Sequence, residues 1–294
     1  MNKPLIIVTG KNGQLGWELQ RLHNSYIHQF NFLFVGREEL DLSNIQSITT
    51  FFQQHKPFYF INCAAYTAVD KAETEKDISF NINALAVAEL AKQCAAINCK
   101  FITVSTDYVF DGTKNTPYEI TDTTNPLNQY GYSKREGELL AIKNNADAII
   151  IRTSWVYSSY GNNFVKTMLR LMKERESINV VSDQIGSPTY AKDLANAIIQ
   201  IVETLAIHGS QFRNNIYHYS NDGIISWYDF AKEIQSLSGL HCKVNSIPSS
   251  QYPTPAKRPF YTAMSKEVIS NNFQLKIKNW KESLKECLAE LGYL

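Results

Sequence analysis

The sequence has almost no excess of charge of either sign. Its 294 residues include 29 Lys and Arg against 28 Asp and Glu, a formal net charge of +1. Proteins that bind nucleic acid or an anionic membrane through phosphate groups usually carry a clear basic excess. We therefore expect neither kind of partner. A small anionic ligand held by a few local cations remains compatible with this balance.

Long apolar runs and paired metal or disulfide motifs are also missing. The aliphatic runs at 5–8 and 148–151 are far shorter than the roughly 18 residues that cross a bilayer. The five cysteines contain no C-x-x-C pair and the six histidines no H-x-x-x-H pair. Neither a disulfide framework nor a zinc site is therefore expected. The sequence predicts a cytoplasmic protein that does not enter a membrane.

Short apolar runs alternate with helical stretches through the first half. Continuous runs rich in Val, Ile and Phe are typical of strands that are covered on both faces. Such runs predict strands at 5–9, 32–35, 58–62, 101–105 and 148–152. Between them, helices are predicted at 14–22, 45–54, 78–94 and 131–143. This alternation predicts an α/β fold with a Rossmann-like, doubly wound parallel sheet, whose ligands bind beyond the carboxyl ends of the strands.

The second half of the chain is less regular. We predict a helix at 191–204 and a strand at 214–220, then from 227 a helix, a short strand, a Pro-rich turn and a terminal helix at 280–291. Residues 1–154, completed by about 187–222, are predicted to form a dinucleotide-binding domain. Residues 155–186 and 223–294 are predicted to form a smaller, interleaved C-terminal lobe that binds the substrate.

A glycine-rich turn joins the first predicted strand to the first helix. Gly10, Gly13 and Gly16 have the spacing G-x-x-G-x-x-G, which differs from the commoner G-x-G-x-x-G of dinucleotide-binding proteins. Glycines let the backbone approach a pyrophosphate, and free N–H groups at a helix start favour negative charge. We interpret the turn as a pyrophosphate site; the alternative is a tight turn with no ligand.

The end of the second predicted strand bears on the choice of cofactor. Arg37 directly precedes Glu38 there. An arginine at this place can hold the extra phosphate of NADP, whereas an acidic residue binds the ribose hydroxyl of NAD. NADPH is therefore expected, and Glu38 keeps NADH open. Solvated surface charges with no ligand are the alternative.

A tyrosine four residues before a lysine places phenol and ammonium on one face of a helix, where the tyrosine can act as an acid or base. Chance alone predicts about one such pair in a chain with this composition, and two occur, Tyr130/Lys134 and Tyr228/Lys232. Tyr130/Lys134 lies between the fourth and fifth predicted strands, near the hydroxyl of Thr106 at a strand end. We choose it as the catalytic pair and interpret Tyr228/Lys232 as part of an ordinary amphipathic helix.

Several longer segments form an ordered series along the chain. They are GKNGQLGWE (10–18), NCAAYTAVDKAE (62–73), STDYVFDG (105–112), PLNQYGYSK (126–134), RTSWVY (152–157), GNNF (161–164), DQIGSPT (183–189) and RP (258–259). In this series the chain resembles the extended short-chain dehydrogenases/reductases and, among them, the dTDP-4-dehydrorhamnose reductase family. The resemblance covers almost the full length.

The resemblance implies roles for individual residues. For the cofactor it implies Gly13, Gln14 and Leu15 at the pyrophosphate, Asp41 and Leu42 near the adenine, and Ala65, Tyr66 and Thr67 on the path to the nicotinamide. For the substrate it implies Thr106 and Asp107 at the sugar and Trp155 packed against it. Arg258 is our candidate for the substrate diphosphate.

The resemblance also implies a reaction. It is the reduction of the C4 ketone of dTDP-4-dehydro-L-rhamnose to dTDP-L-rhamnose, the last step of dTDP-rhamnose synthesis. Tyr130 would donate the proton with help from Thr106, and Lys134 would hold the nicotinamide ribose and lower the pKa of Tyr130.

Three questions stay open at this point. A relative of these reductases is a non-catalytic, dinucleotide-binding regulatory subunit of methionine adenosyltransferase, and other relatives are reductases or epimerases of other nucleotide sugars. Some members carry magnesium at a contact between subunits. Glu18 follows Trp17 as in that pattern, but no partner acids are evident in the sequence. A Mg²⁺ ion and a homodimer are both left open.

Overall fold

The computed structural model describes residues 3–209 and 215–294. The strands, in chain order, are β1 (Leu5–Thr9), β2 (Asn31–Val35), β3 (Tyr59–Asn62), β4 (Lys100–Thr106), β5 (Ile149–Thr153), β6 (Val156–Tyr157), β7 (Ser177–Val181), β8 (Ile185–Gly186), β9 (Thr189–Tyr190), β10 (Ile216–His218), β11 (Ile225–Ser226) and β12 (Lys243–Ile247). The helices are α1 (Gln14–Leu22), α2 (Ile45–Gln54), α3 (Val69–Ala72), α4 (Lys76–Phe80), α5 (Ala86–Ala96), α6 (Gln129–Asn144), α7 (Phe164–Glu174), α8 (Ala191–His208), α9 (Trp227–Ser238), α10 (Glu267–Phe273) and α11 (Trp280–Glu290).

Within the described residues, one central sheet contains six parallel strands in the order β10-β5-β4-β3-β1-β2. The predicted α/β class and parallel sheet are confirmed. Strand order reverses at β1, which lies between β2 and β3, and ligands of such sheets bind beyond the carboxyl ends at this point. The glycine turn that follows β1 is therefore at the expected binding edge.

Most predicted elements of the first half agree with the structure to within two residues, because buried parallel strands are continuous apolar runs. The predicted helix at 78–94 is wrong in detail. A π-helical turn, Asn81–Leu85, separates α4 from α5. The predicted strand at 214–220 contains β10, and its first residue lies outside the described residues.

Side chains from the two faces of the sheet form separate hydrophobic clusters. One face packs against α1, α8 and α10, with Ile198 and Tyr217 in its core, and the other packs against α2 and α5, with Phe60 and Leu90 in its core. A third cluster, around Phe230, draws its residues from 157–190 and 225–293. These clusters support the two-part division that we propose, although α10 packs with the sheet.

No helix among residues 3–209 and 215–294 is long and apolar enough to span a membrane. In the same part of the chain, no group of three or more His, Cys, Asp or Glu side chains is arranged to hold a metal ion. Glu18 is instead buried, and Ser158 Oγ donates a hydrogen bond to its Oε1 at 2.6 Å.

Candidate active site

A cleft of about 770 Å³ opens at the carboxyl ends of β1, β3, β4 and β5. Almost every residue singled out from the sequence lines it: Gly10, Gly13, Gln14, Leu15, Arg37, Asp41, Leu42, Ala65, Tyr66, Thr67, Thr106, Asp107, Tyr130, Lys134 and Trp155. Gly16 and Arg258 are not among its lining residues, and neither are Tyr228 and Lys232. Residues far apart in the sequence thus meet in one cavity.

The glycine turn fits a pyrophosphate for steric reasons. Gly10 has a φ of +73°, and a Cβ there would lie 2.9 Å from Ala64 N. Gly13 precedes α1 and caps it without a side chain. The first N–H groups of a helix have no partner within it, so the open end of α1 offers donors to an anion. Gly16 has a packing role instead, since a Cβ there would lie 2.2 Å from Gly10 O.

One cation lines the far end of the cleft. The Arg37 side chain is 81% exposed, and its Nε lies 3.6 Å from Asp41 Oδ1. Glu38 does not line the cleft. Glu39 is turned away, because it accepts hydrogen bonds from Lys11 Nζ and, at 2.7 Å, from the backbone N–H of Gly36. The Arg37 guanidinium is thus available to a ligand.

Tyr130 and Lys134 occupy the first two turns of α6. Asn128 caps this helix by accepting the Gly131 N–H at 2.8 Å. Burial raises the pKa of Tyr130 to about 12, although a hydrogen bond with Thr106 acts in the opposite direction. Burial also lowers the pKa of Lys134 to about 8, and the Lys134 ammonium donates to Val104 O at 2.7 Å.

The expectation that Lys134 lowers the pKa of Tyr130 is wrong. The pKa of Tyr130 is raised, because removing the phenol from water penalises its charged form, and the group that opposes this is Thr106. A raised pKa keeps the phenol protonated at neutral pH. Tyr130 is therefore suited to donate a proton.

Asp107 is a buried carboxylate beside this pair. Burial raises its pKa to about 6, and hydrogen bonds from Thr262 and Thr106 oppose the increase. Thr106 Oγ1 donates to Asp107 Oδ1 at 3.1 Å, whereas Asp107 Oδ2 has no partner although it is buried. Ser105 Oγ is likewise buried and unpartnered. Both residues line the cleft.

Sequence reasoning missed Asn83, which joins the cleft-lining segment at Tyr66 to α6. Asn83 accepts the Tyr66 N–H at 2.9 Å, and its Nδ2 donates to Tyr66 O and to Ser133 Oγ, both at 3.0 Å. It belongs to the π-helical turn, a local distortion frequent at functional sites. Gly137 allows α6 to approach, since a Cβ there would lie 2.0 Å from Asn83 O.

A buried ion pair joins α6 to the sheet and was also missed. Arg152 donates to both carboxylate oxygens of Glu138, Nε to Oε1 at 2.9 Å and Nη2 to Oε2 at 2.7 Å. Glu138 lies one turn beyond Lys134, and Arg152 immediately precedes the residues of β5 that line the cleft. The pair thereby fixes α6 relative to the end of β5.

Arg258 binds another residue rather than facing the cleft. Its Nη1 and Nη2 donate to the two carboxylate oxygens of Asp70 at 2.7 and 3.0 Å. The pair joins α3 to the Pro-rich segment of the C-terminal lobe. The role of Arg258 at the substrate diphosphate stays a prediction.

Comparison with known proteins decides the family. Residues 3–293 match the family model described as RmlD substrate binding domain. The dTDP-4-dehydrorhamnose reductase of Aggregatibacter actinomycetemcomitans is 40% identical, with 97% of this chain and 98% of that protein covered. The corresponding protein of Escherichia coli K12 is 39% identical, with 97% of each covered. The chain belongs to the dTDP-4-dehydrorhamnose reductase family.

Solved structures of dTDP-4-dehydrorhamnose reductases share this fold closely. The Clostridium acetobutylicum protein matches with a TM-score of 0.92 at 38% identity, covering 98% of this chain and 99% of that one. The Bacillus anthracis protein, solved in complex with NADP, also has a TM-score of 0.92 at 38% identity, covering 98% and 100%. The family resemblance inferred from the sequence is confirmed.

Proposed function

We propose that the protein reduces the C4 ketone of dTDP-4-dehydro-L-rhamnose to dTDP-L-rhamnose with NADPH. The observation that carries the proposal is the meeting of Tyr130, Lys134 and Thr106 in the cleft of the glycine turn. A protonated phenol, a buried ammonium and a pyrophosphate site together suit hydride transfer followed by protonation of oxygen. Membership of the family supports the same substrate.

The chain's own residues supply binding and the proton. The reduced nicotinamide, when bound, supplies the hydride. The Tyr130 phenol donates its proton to the C4 oxygen as negative charge develops there, and the Thr106 hydroxyl assists. Lys134 would bind the nicotinamide ribose, with its buried stem packed in the cleft. Gly13, Gln14 and Leu15 would hold the pyrophosphate at the start of α1.

A direct assay tests this function. Purified protein should oxidise NADPH only when dTDP-4-dehydro-L-rhamnose is supplied, and parallel runs with NADH measure the cofactor preference. Absence of oxidation with this substrate at any ordinary pH would contradict the proposal. Recovery of a methionine adenosyltransferase by the tagged protein, without turnover, would favour the regulatory-subunit alternative. Turnover of another nucleotide sugar in its place would favour the second alternative.

We infer that NADPH is preferred to NADH because Arg37 lines the adenine end of the cleft. Arg37→Ala should weaken NADPH binding about tenfold, the size expected for one charge-assisted contact to a phosphate. Binding of NADH should change less than twofold. Lys11→Ala is the matched control, since Lys11 is a neighbouring cation that pairs with Glu39 and does not line the cleft. Equal losses for both cofactors would contradict the assignment.

We also infer that Asp107 binds the sugar at a cost in stability. The pKa of Asp107 in the folded chain is about 6, above its usual 3.8. Its protonated form therefore contributes fully to the free energy of unfolding below about pH 4, and this contribution is lost as the pH rises through 6. Asp107→Asn should therefore raise the free energy of unfolding at pH 7.5 by about 2 kcal/mol. The increase should be smaller at pH 5. The KM for the sugar should increase.

The control for this variant is Asp111→Asn. Asp111 accepts hydrogen bonds from Thr113, Tyr118 and Asn125, and its pKa is lowered despite opposing burial. Its contribution is present above its usual pKa, so the substitution should destabilise at pH 7.5. Urea unfolding at the two pH values measures both variants. Destabilisation by both at pH 7.5 would refute the account of Asp107.

The sequence-based prediction of a cytoplasmic location remains a proposal, and the question of a homodimer stays open. Magnesium is also left open.

A further inference from the structure

Two tryptophans stack face to face where the substrate lobe meets the carboxyl end of the sheet. Trp155 follows β5, and Trp227 is the first residue of α9. Their ring centroids are 3.6 Å apart and their planes differ by 12°. Trp155 lines the cleft, whereas Trp227 lies behind it. One member of the pair can therefore contact a ligand, and the other supports it.

The backbone of Trp155 is in a conformation that bulky residues rarely adopt. Its φ is +48°, in the left-handed region. A non-glycine residue in this conformation costs free energy, and the conformation persists only where the surrounding structure holds it. Such residues concentrate at functional sites. The neighbouring Ser154 is held independently, because its Oγ donates to Ser187 O at 2.7 Å.

Contacts on different sides determine where the Trp155 indole lies. Gly186 leaves room for the ring, since a Cβ there would lie 2.9 Å from Trp155 Cε2 and Cζ2. The Thr189 N–H donates to Trp155 O at 3.2 Å. Trp227 covers one face of the indole. Only the last of these contacts comes from the helical part of the substrate lobe.

Trp227 is itself well fixed. The ring of Phe164 packs against it at a centroid distance of 4.5 Å. Ser226 caps α9, with Asp229 N–H donating to Ser226 Oγ at 3.0 Å and Ser226 N–H donating to Asp229 Oδ2 at 2.9 Å. The helix therefore begins at a defined residue, and Trp227 is presented to Trp155 in one orientation.

We propose that Trp227 is a positioning residue for the substrate: by stacking on Trp155 it holds that residue in its left-handed conformation and fixes the wall of the cleft at the sugar. Trp227 does not touch the sugar. Its effect is transmitted through the indole of Trp155, so the position of α9 in the lobe sets the shape of the substrate end. The kinetic part of this inference rests on the proposed function; the stack itself does not.

Circular dichroism tests the stack without any activity. Two indoles this close couple their transitions and give a paired positive and negative band in the far ultraviolet. The couplet should disappear in Trp227→Leu and persist in the control Trp17→Phe, because Trp17 stacks on Tyr160 at 4.8 Å and not on another tryptophan. Survival of the couplet in Trp227→Leu would overturn the inference.

Kinetics test the positioning role. Trp227→Leu should raise the KM for dTDP-4-dehydro-L-rhamnose about tenfold. This change corresponds to the upper end of the interaction free energies of aromatic pairs. The Kd of NADPH should stay within twofold, and Trp227→Phe should recover most of the loss. A KM within twofold of the original in a folded Trp227→Leu protein would overturn the proposal.

A second variant covers the case in which Trp227→Leu does not fold. Gly186→Ala adds a Cβ that would displace the Trp155 indole and leaves Trp227 intact, so it should raise the KM in the same way. An unchanged KM in this variant would again overturn the proposal. If the unsubstituted protein does not turn over, the proposed function fails, and the Kd of a dTDP-sugar measured by calorimetry in the same variants decides the positioning role.

Discussion

Tyr130→Phe should reduce kcat by about a thousandfold, which is a typical rate enhancement from a positioned general acid. The substitution removes one oxygen and keeps the ring, which packs edge-on against Tyr108 at a centroid distance of 6.0 Å. With a pKa of about 12, the phenol carries its proton across the whole working pH range.

Cofactor binding distinguishes a chemical effect from a structural one. The Kd of NADPH for Tyr130→Phe should stay within a few-fold of the original, because the pyrophosphate and adenine sites lie elsewhere in the cleft. The matched control is Tyr108→Phe, which removes a hydroxyl from the adjacent ring and should retain most of the turnover. Unchanged turnover in Tyr130→Phe would refute the assignment of the proton donor.

Gly16→Ala should destabilise the protein by about 3 kcal/mol or more, a large share of a typical domain's stability. Alanine is more favourable than glycine within a helix by about 1 kcal/mol. Helix propensity alone would therefore predict that Gly16→Ala stabilises the protein. The steric conflict decides the outcome, because the new Cβ would lie 2.2 Å from Gly10 O and 2.7 Å from Gly10 C. To relieve it, α1 must move away from the glycine turn.

The control for this prediction lies in the same turn. Gly13 has a φ of −87°, which alanine adopts without strain, and the nearest atom to its added Cβ would be Gly10 O at 3.3 Å. Gly13→Ala should cost about 1 kcal/mol of unfolding free energy, as expected for a poorer helix cap. Urea unfolding of the two variants measures the difference. Equal stability losses would show that close packing at Gly16 is not the cause.

The sequence predicted the sheet and most of the cleft because both depend on local patterns. Continuous apolar runs mark buried strands, and the glycine turn and Tyr130/Lys134 lie at fixed places relative to them. The ordered series of family segments then assigned roles to residues such as Asp107, whose type alone carries no such information.

The features that sequence reasoning missed depend on contacts between distant segments. Asn83 has no local signal, and its importance comes from reaching both Tyr66 and Ser133. In the sequence, Arg152 and Glu138 are indistinguishable from ordinary surface charges. Their pairing depends on the packing of α6 on the sheet. The partner of Arg258 is Asp70, 188 positions away. The direction predicted for the pKa of Tyr130 was wrong because burial, the main cause of its increase, cannot be read from a helical spacing.

Strand β10 lies at the edge of the central sheet, beside β5, yet the chain reaches it only after forming β6 to β9 and α7. During synthesis the central sheet therefore stays incomplete until β6 to β9, α7 and α8 have been made. Pairing β10 with β5 closes a long loop, and loop closure costs entropy that only the finished packing of α8 on α1 repays. A nascent chain that stops before residue 216 exposes the side of β5, an unpaired edge open to wrong partners.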